Sequence, residues 1–153
     1  MARHPVRRAG VDDAEAVAGL LHDFNTEFDT PSPGKDVLAA RLRHLLGEPH
    51  TFALLGGDPA QGLALVTLRP NVWYPGPVAL LDEMYVAPAA RGSGIGGAIM
   101  DRLIEECRAA GVSAIEINVD ESDVDAQRFY ERHGFAGVDP ETGERAFYFS
   151  QEL

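Results

Sequence analysis

The sequence predicts an α/β fold with a mixed β-sheet, and three observations lead to this prediction. The chain has 153 residues, of which 45% are hydrophobic and 24% are charged, and this suits a single domain over residues 1–153 with one buried core. Three strand-like segments follow one another directly in the middle of the chain, as in an antiparallel meander. A strand, a glycine-rich loop, a helix and another strand come next, and this βαβ unit adds a parallel strand to the sheet.

The first third of the chain predicts one short strand and two helices. The strand is expected around Val6, before a helix whose apolar residues recur at steps of three and four. The apolar face of this helix consists of Ala14, Val17, Ala18, Leu21, Phe24 and Phe28. A break at residues 31–34, rich in proline and glycine, then precedes a second helix with Leu38, Leu42 and Leu45 on its inner face.

The middle of the chain changes to a strand pattern. Three strands are predicted, over residues 51–55, 62–68 and 78–86. A proline-rich loop at residues 70–77 carries Trp73 and Tyr74. Pro88 ends the third strand because proline has no N–H group to donate to a neighbouring strand.

The last third predicts two helices and three strands. The first of these helices follows the glycine-rich loop and carries Ile95, Ile99, Met100, Leu103, Ile104 and Cys107 on one stripe. The remaining elements are a strand over residues 113–119, a helix that holds Ala126, Phe129 and Tyr130, and a terminal hairpin with strands 135–138 and 146–150. The element order is therefore β-α-α-β-β-β-α-β-α-β-β, with helices packed on the faces of the sheet.

The composition excludes several classes of function. The formal net charge is −11, which argues against nucleic-acid and anionic-membrane partners because phosphate binding needs clustered Lys and Arg. Cys107 is the single cysteine, so neither an intrachain disulfide nor a multi-cysteine zinc site is expected, and no metal is predicted. The N-terminus lacks the apolar run of a signal peptide, and no segment approaches the roughly 18 apolar residues of a membrane span. The sequence therefore predicts a cytoplasmic protein.

The glycine-rich loop before the third predicted helix is the strongest chemical signal in the sequence. Gly92, Gly94, Gly96 and Gly97 let the backbone curl so that several N–H groups face one anion, and the helix N-terminus adds its positive end. A phosphate group is the natural ligand of such a loop. Arg91, directly before the glycines, would add a charge-assisted contact to the same anion.

Three known types of glycine-rich loop are candidates for this segment. A Walker A loop is excluded because Ala98 follows the last glycine, where Lys is required. A nucleophile elbow is excluded because Ser93 has no glycine two residues to either side. A dinucleotide-binding fingerprint fits the glycine spacing, but residues 87–91 separate the strand from the first glycine, and the chain after Asp120 is too short for the remaining strand and helix units.

Two motifs resemble those of the GNAT superfamily of acetyl-CoA-dependent N-acetyltransferases. Residues 84–96, MYVAPAARGSGIG, resemble its motif A, with the pattern Arg-x-x-Gly-x-Gly that begins at Arg91. Residues 126–135, AQRFYERHGF, resemble its motif B, and the two motifs stand in the family's order with a strand between them. The resemblance covers the element order of the whole chain, and it implies a three-layer sandwich whose central strand pair splays apart.

The resemblance implies that acetyl-CoA is the acyl donor. The loop would hold the pyrophosphate, mostly through backbone N–H groups, and pantetheine would pair with strand backbone in the slot between the splayed strands. The implied cofactor-binding residues are Met84, Tyr85, Val86, Arg91, Gly92, Ser93, Gly94, Ile95, Gly96, Gly97, Asp123 and Tyr130. At Asp123 similar proteins often carry Asn, and Asp cannot donate a hydrogen bond, so the alternative is that Asp123 is only a helix N-cap.

Two residues are candidates for proton transfer. Tyr130 resembles the family's general acid, which protonates the departing thiolate; the alternative is a packed core tyrosine, although Phe129 is the better packing candidate of the pair. Glu83 is the first candidate for the base that deprotonates the amine, directly or through a water, and the alternative is a solvated strand carboxylate or an ion-pair partner of an Arg. Strand alternation sends Glu83 and Tyr85 to one face, and it sends Asp82, Met84 and Val86 to the other. Asn118 and Asp120 are weaker candidates to orient a water.

In the family the acceptor site is usually built from the first two helices and the loop before the third long strand. The candidate acceptor-binding residues there are Phe24, Glu27, Phe28, Trp73, Tyr74 and Glu83. Carboxylates beside aromatic rings suit a cationic amine, through Coulomb attraction and cation–π contact. Acidic residues on a first helix are also commonly just its solvated face, so the acceptor remains open between a small cationic amine and a protein amino group.

The leading prediction is therefore an N-acetyltransferase that moves an acetyl group from acetyl-CoA to a primary amine. One alternative is a catalytically silent acyl-CoA-binding regulatory domain of the same fold. A second is a small NAD(P)-dependent oxidoreductase that uses the glycine loop for its dinucleotide. A homodimer is possible by analogy with similar proteins.

Overall fold

The computed structural model of the protein describes residues 4–153. The contacts cluster into two compact units, one that extends to Glu116 and one that runs from Ile117 to Leu153. The first unit holds the sheet and three α-helices, and the second holds the last α-helix. Within the described residues no helix combines the length and the apolar character needed to cross a membrane.

The elements of the first unit follow the predicted order. They are β1 (Val6–Arg8), α1 (Ala14–Glu27), α2 (Lys35–Leu45), β2 (Thr51–Gly56), β3 (Gly62–Arg69), β4 (Val78–Val86), α3 (Ile95–Ala109) and β5 (Ala114–Glu116). Short 3₁₀ turns precede α1 at Val11–Asp13 and follow β4 at Pro88–Ala90. The apolar periodicity thus placed each helix and strand of this unit correctly, although β5 is shorter than the predicted strand over 113–119.

The five strands form one mixed sheet in the order β1-β2-β3-β4-β5. The first three pairs are antiparallel, and β4 pairs with β5 in parallel. The antiparallel pairs come from the meander, whereas the parallel pair needs the crossover that α3 provides. The mixed sheet predicted from the sequence is confirmed.

One face of the sheet packs against α1 and α2. Leu55, Leu63 and Tyr85 from three neighbouring strands join Val17 of α1 and Leu42 of α2 in one buried cluster. Each of these side chains is at least 95% buried, so this face supplies a large share of the apolar burial that drives folding.

The other face packs so closely against α3 that two glycines are required. Gly56 and Gly62 are partners in the register of β2 and β3. A Cβ atom at Gly56 would lie 2.8 Å from Cδ1 of Ile99, and one at Gly62 would lie 2.7 Å from the same atom and 2.7 Å from Cγ2 of Ile95. These glycines let α3 approach the sheet backbone, and the helix then carries the loop at its N-terminus to the end of β4. With helices on both faces, this unit has the three layers that were predicted.

The second unit contains α4 (Val124–Arg132) and a C-terminal segment without regular strands. The prediction of a terminal hairpin is wrong for its two strands, because residues 135–138 and 146–150 do not form β-strands. Its turn does form, because Gly143 N–H donates to the Asp139 carbonyl at 2.8 Å and Asp139 N–H donates to the Glu144 carbonyl at 2.8 Å. A strand needs a paired neighbour and a buried face as well as suitable residues, and the side chains from Asp139 to the end are all exposed.

Candidate functional site

The glycine-rich loop adopts backbone conformations that favour glycine at two positions. Gly92 has φ of +76° and Gly94 has φ of +93°, a region that residues with a Cβ atom rarely occupy. A Cβ atom at Gly92 would meet nothing within 4 Å, so the requirement there comes from the backbone conformation and not from crowding. The two glycines curl the chain between the 3₁₀ turn and the start of α3.

The start of α3 offers backbone donors to an anion. Gly94 is the N-cap of α3 and provides no side-chain acceptor, and the Ala98 N–H donates to the Gly94 carbonyl at 3.0 Å. The N–H groups of Ile95, Gly96 and Gly97 therefore precede the first helical hydrogen bond and have no acceptor inside the helix. Together with the positive end of the helix dipole, they are suited to bind an anion, and the anion site itself stays a prediction.

The side chains of Ser93 and Ile95 stabilise this loop. The Ser93 hydroxyl donates to the Ala90 carbonyl, and Nε2 of His4 lies within hydrogen-bond distance of the Ser93 carbonyl. The Ile95 side chain is buried beneath the sheet glycines, with 3% of its surface exposed. Their side chains thus support the loop, and any contact of these two residues with an anion would come from their backbone.

Arg91 contacts a carboxylate of the protein itself. Its Nη2 lies 2.7 Å from each carboxylate oxygen of Glu27, and its Nε–H donates to the Val86 carbonyl at 3.0 Å. The guanidinium also lies 5.8 Å from the ring centroid of Tyr85. Arg91, which was expected to bind the anion, therefore connects the loop to the end of β4 and to α1.

Glu27 is at the centre of a group that we call the Glu27 cluster, which consists of Phe24, Glu27, Phe28, Tyr85 and Arg91. The Tyr85 hydroxyl donates to Oε1 of Glu27 at 3.0 Å, and its ring stacks on Phe24 with 4.9 Å between centroids. Phe24 in turn meets Phe28 edge to face at 5.3 Å. Burial and the Glu27 carboxylate raise the pKa of Tyr85 to about 12, so the phenol stays protonated and keeps its donor role. The structure thus brings together three predicted acceptor residues and two predicted cofactor residues.

Glu83 lies on the same face of β4 as Tyr85. It is opposite Leu65 of β3, just as Tyr85 is opposite Leu63. Burial raises the pKa of the Glu83 carboxyl, and the neighbouring charge of Asp82 raises it further. Among residues 4–153 its carboxylate has no hydrogen bond or ion pair, so it is available to a bound ligand. A partly buried carboxylate with a raised pKa suits a general base better than a solvated one does.

The prediction that successive side chains of β4 alternate strictly between the two faces of the sheet is wrong at Asp82. The register against β3 shifts between Leu65 and Val66, because Leu65 faces Glu83 whereas Val66 faces Leu81. Asp82 is thus the extra residue of a β-bulge, and its carboxylate accepts a hydrogen bond from the Thr67 hydroxyl. A bulge changes the face of the sheet to which neighbouring side chains point, and the period-two pattern of the sequence does not indicate where a bulge lies.

The strand β5 ends early, beside the start of β4, and leaves the part of β4 where a pantetheine slot was predicted without a partner on that edge. Their parallel pairing covers only Val78–Leu80 of β4 and Ala114–Glu116 of β5. The rest of β4, which includes Met84 and Val86, pairs with β3 on its other edge, opposite Ala64 and Gly62. One edge of β4 beyond Leu80 therefore has no β5 partner, as the predicted slot requires.

The loop between β3 and β4 holds Trp73 and Tyr74 in an exposed turn. The side-chain oxygen of Asn71 accepts from the backbone N–H groups of both residues at 2.9 Å, and its amide donates to the Gly76 carbonyl at 3.0 Å. Trp73 is 85% exposed and Tyr74 is 49% exposed. Within the described residues no ring contact or hydrogen bond joins them to the Glu27 cluster, so the structure leaves these two predicted acceptor residues apart from the other members. Sequence reasoning missed Asn71, although Asn before such a turn is a typical turn former.

In the second unit, Asp123 is the N-cap of α4. Its carboxylate accepts from the Ala126 N–H at 3.0 Å, which confirms the structural alternative for this residue. The carboxylate still has acceptor capacity left, since a carboxylate can accept several hydrogen bonds. A contact with pantetheine therefore stays a prediction.

Tyr130 is the buried residue of α4, with 8% of its surface exposed. Its ring meets Phe129 at 5.3 Å and Phe135 at 5.7 Å, both edge to face. The expectation that Phe129 is the packing residue of the pair is wrong, because Phe129 is only half-buried and lies beside His133, with 4.7 Å between ring centroids. Adjacent residues point to different sides of a helix, and the side that carries Tyr130 is the one that packs.

Comparison with known proteins identifies the family. Residues 16–135 match the model of the acetyltransferase (GNAT) family. A crystal structure of a proposed acetyltransferase from Arthrobacter sp. FB24 superposes with a TM-score of 0.92 at 49% identity, over 100% of this chain and 98% of that one. Aminoglycoside N(6')-acetyltransferase type 1 of Serratia marcescens is 32% identical over 124 residues, which cover 77% of this chain and 82% of that protein.

A mycothiol acetyltransferase of Beutenbergia cavernae is 36% identical over 74 residues, which are 46% of this chain. The matched part spans only 25% of the length of that relative. The family match, by contrast, covers most of the present chain and includes both the glycine loop and α4. The chain belongs to the GNAT family of acetyltransferases.

Proposed function

We propose that the protein is an N-acetyltransferase that moves an acetyl group from acetyl-CoA to a primary amine, and that the acceptor is a small cationic amine. The observation that carries the proposal is the glycine loop at the N-terminus of α3, which follows β4 after a short 3₁₀ turn, together with the edge of β4 that has no β5 partner beyond Leu80. An anion-binding helix end beside an open strand edge suits a ligand with a pyrophosphate and an amide-containing arm. Family members use such a ligand, acetyl-CoA, as their acyl donor.

The residues of the loop and of β4 would bind and orient the donor. The backbone N–H groups at Gly92, Gly94, Gly96 and Gly97 would face the pyrophosphate, and the free edge of β4 near Met84 and Val86 would pair with pantetheine. A β4 N–H at this edge would also polarise the thioester carbonyl, which is where negative charge develops during attack.

Glu83 and Tyr130 would move the protons. Glu83 takes one proton from the ammonium of the acceptor, and the free amine then attacks the carbonyl carbon of the thioester. The C–N bond forms as the C–S bond breaks, and the Tyr130 phenol gives its proton to the leaving thiolate. The second proton of the amine passes to solvent, and solvent reprotonates the Tyr130 phenolate. Glu83 then gives the proton it took from the ammonium to solvent, so both residues return to their starting state and one proton is released in each turnover.

The acceptor proposal rests on charge and on one relative. Glu27 and Glu83 present carboxylates on the face of the sheet that also carries the rings of Phe24 and Tyr85. Carboxylates beside aromatic faces attract a cationic amine. The relative from Serratia marcescens is named as an aminoglycoside acetyltransferase, and an aminoglycoside is a polycationic amine. We therefore place polyamines and aminoglycosides first among the acceptors to test.

A panel of amines with acetyl-CoA tests this proposal. The panel includes spermidine, kanamycin, a neutral amine and a peptide with a free N-terminus, and thiol release is measured against a sample without amine. We expect release with at least one polycationic amine and the acetylated product by mass spectrometry. Acetyl-CoA binding without thiol release for any amine would instead support the silent regulatory domain. Thermal stabilisation by NADPH and not by acetyl-CoA would support an oxidoreductase.

Three further predictions accompany this function. A single domain over residues 1–153, a cytoplasmic location and a homodimer are each proposed from the sequence. The dimer is supported by the exposure of neighbouring aromatic side chains in the C-terminal segment, where Phe147, Tyr148 and Phe149 are 74%, 72% and 90% exposed. Light scattering of the purified protein measures its oligomeric state directly.

A further inference from the structure

The carboxylate of Glu27 is shared by two groups that belong to different parts of the proposed site. Its Oε1 accepts from the Tyr85 hydroxyl at 3.0 Å and from Nη2 of Arg91 at 2.7 Å, and its Oε2 also lies 2.7 Å from that Nη2. Tyr85 lies on the face of β4 that carries Glu83, whereas Arg91 begins the glycine loop. A single carboxylate therefore links the acceptor side of the site to the donor side.

Both ions of the Glu27–Arg91 pair are open to ligands. The Arg91 side chain is 45% exposed and the Glu27 side chain is 26% exposed, so solvent and solutes reach each of them. Ion pairs with this exposure are weak, because water competes for both charges. A charged ligand that arrives at either partner can therefore replace the other partner.

The two ligands of the proposed reaction have the charges needed for this exchange. The phosphate groups of acetyl-CoA are anionic and would bind at the loop that Arg91 begins, and a cationic amine would bind near Glu27. While the internal pair is intact, each ligand has to compete with it. When the phosphate groups of the donor bind Arg91, Glu27 is released for the amine. When the amine binds Glu27, Arg91 is released for the phosphate groups.

We propose that Glu27 couples the two binding steps by exchanging Arg91 for the ammonium group of the acceptor. This inference rests on the proposed function, and it adds that donor and acceptor strengthen each other's binding. Linkage requires the effect to be reciprocal, so the amine raises the affinity for CoA by the same factor as CoA raises the affinity for the amine. A charge exchange of this kind corresponds to a factor of about 5–20, in the lower part of the usual range for coupled sites.

The Glu27→Gln variant tests the exchange with CoA alone. Gln keeps the size of the side chain and an oxygen that accepts from Tyr85, but it removes the charge that holds Arg91. We expect CoA to bind the variant about 3–10 times more tightly than it binds the wild type in isothermal titration calorimetry, because Arg91 is released in advance. The Arg91→Gln variant should bind CoA more weakly than the wild type, because it lacks the released cation.

The Glu15→Gln variant is the matched control. Glu15 lies on the same helix and forms an ion pair with Arg43 at 3.1 Å, but that pair is on the surface, with Glu15 82% exposed. The control loses a Glu–Arg pair of α1 and should bind CoA as the wild type does. Thermal unfolding of all variants checks that each is folded before its affinity is compared.

The second arm of the experiment measures the coupling itself. The affinity for CoA is titrated with and without a saturating amount of the amine that the panel identifies as the best acceptor. We expect the amine to tighten CoA binding about 5–20-fold in the wild type and in Glu15→Gln, and to have almost no effect in Glu27→Gln.

Weaker or unchanged CoA binding by a folded Glu27→Gln variant would overturn the inference, and equal coupling in that variant and the wild type would do so as well. In both cases acetylation by the wild type would leave the proposed function standing. If no amine of the panel is acetylated, the proposed function fails, and the comparison of CoA affinities still decides whether Glu27 restrains Arg91.

Discussion

Glu83 is set apart from the other carboxylates near the site by its surroundings. Burial raises its pKa, and within the described residues it has no partner that would hold it in one orientation. Glu27, in contrast, is engaged by both Tyr85 and Arg91. The two carboxylates therefore suit different roles: Glu83 is suited to take a proton, and Glu27 is suited to bind a positive charge.

The Glu83→Gln variant should lose most of its activity without losing stability. We expect kcat to fall by about 10²–10⁴-fold, and the acidic limb of the pH–rate profile, which reports ionisation of the base, to disappear. Since the raised pKa means that ionised Glu83 opposes folding above that pKa, the neutral Gln should leave the melting temperature at pH 7 equal or higher. The pH–rate profile and thermal unfolding are measured on the same preparation. A wild-type profile in the variant would remove Glu83 from the proton transfer.

The Tyr130→Phe variant should slow turnover and spare donor binding. The ring keeps its packing against Phe129 and Phe135, so the fold and the acetyl-CoA affinity should change little. Loss of the phenolic proton should lower kcat by about 10–100-fold, and the loss should be smaller at low pH, where solvent protonates the thiolate. Tyr148→Phe is the control, because Tyr148 is a 72% exposed tyrosine of the same unit. Equal turnover by the two variants would count against the acid role.

At the scale of elements, the contact between α3 and the sheet determines where the glycine loop lies. Gly56 and Gly62 leave no room for a Cβ atom below Ile95 and Ile99, so the helix rests on strand backbone. Ile95 is also the first residue of α3 and directly follows the N-cap Gly94. A change in this packing would therefore shift the anion-binding end of the helix as well as the core.

The Gly62→Ala and Gly19→Ala variants should have opposite effects on stability. At Gly62 the added methyl group overlaps two isoleucine side chains, and we expect a loss of about 1–3 kcal/mol in the free energy of unfolding. At Gly19, inside α1, a Cβ atom meets nothing within 4 Å, and Ala should add about 0.5–1 kcal/mol. Chemical denaturation of each variant gives these free energies. If Gly62→Ala is as stable as the wild type, the close approach of α3 does not constrain this position.

At the scale of the whole molecule, a net charge of −11 coexists with a proposed polyanionic ligand. The site meets this conflict with backbone N–H groups and a helix end, which attract an anion without any basic surface. The acidic surplus remains available to draw in a cationic acceptor, since a negative field raises the local concentration of cations.

Local patterns in the sequence were enough for much of the fold and for the family. Apolar periods of 3.6 and 2 located the helices and the strands of the sheet, because burial of one face imposes those periods on the residues. Glycines at positions that need positive φ, such as Gly92 and Gly94, marked the curled loop before α3. The predicted slot beside β4 came from the family resemblance, and the short β5 leaves the edge of β4 beyond Leu80 without a partner.

Which distant side chains meet depends on the packing of the elements. Arg91 and Glu27 are 64 residues apart in the chain, and their pairing follows from the packing of α1 against β4, which no local pattern encodes. The bulge at Asp82 and the missing terminal strands have the same origin, because register and strand formation depend on the neighbouring strand as well as on the residues themselves. Local patterns thus predict most of the elements, the glycine loop and the family, because each depends on neighbouring residues. The contact of Glu27 with both Tyr85 and Arg91 comes from the three-dimensional packing, because these residues are distant in the chain.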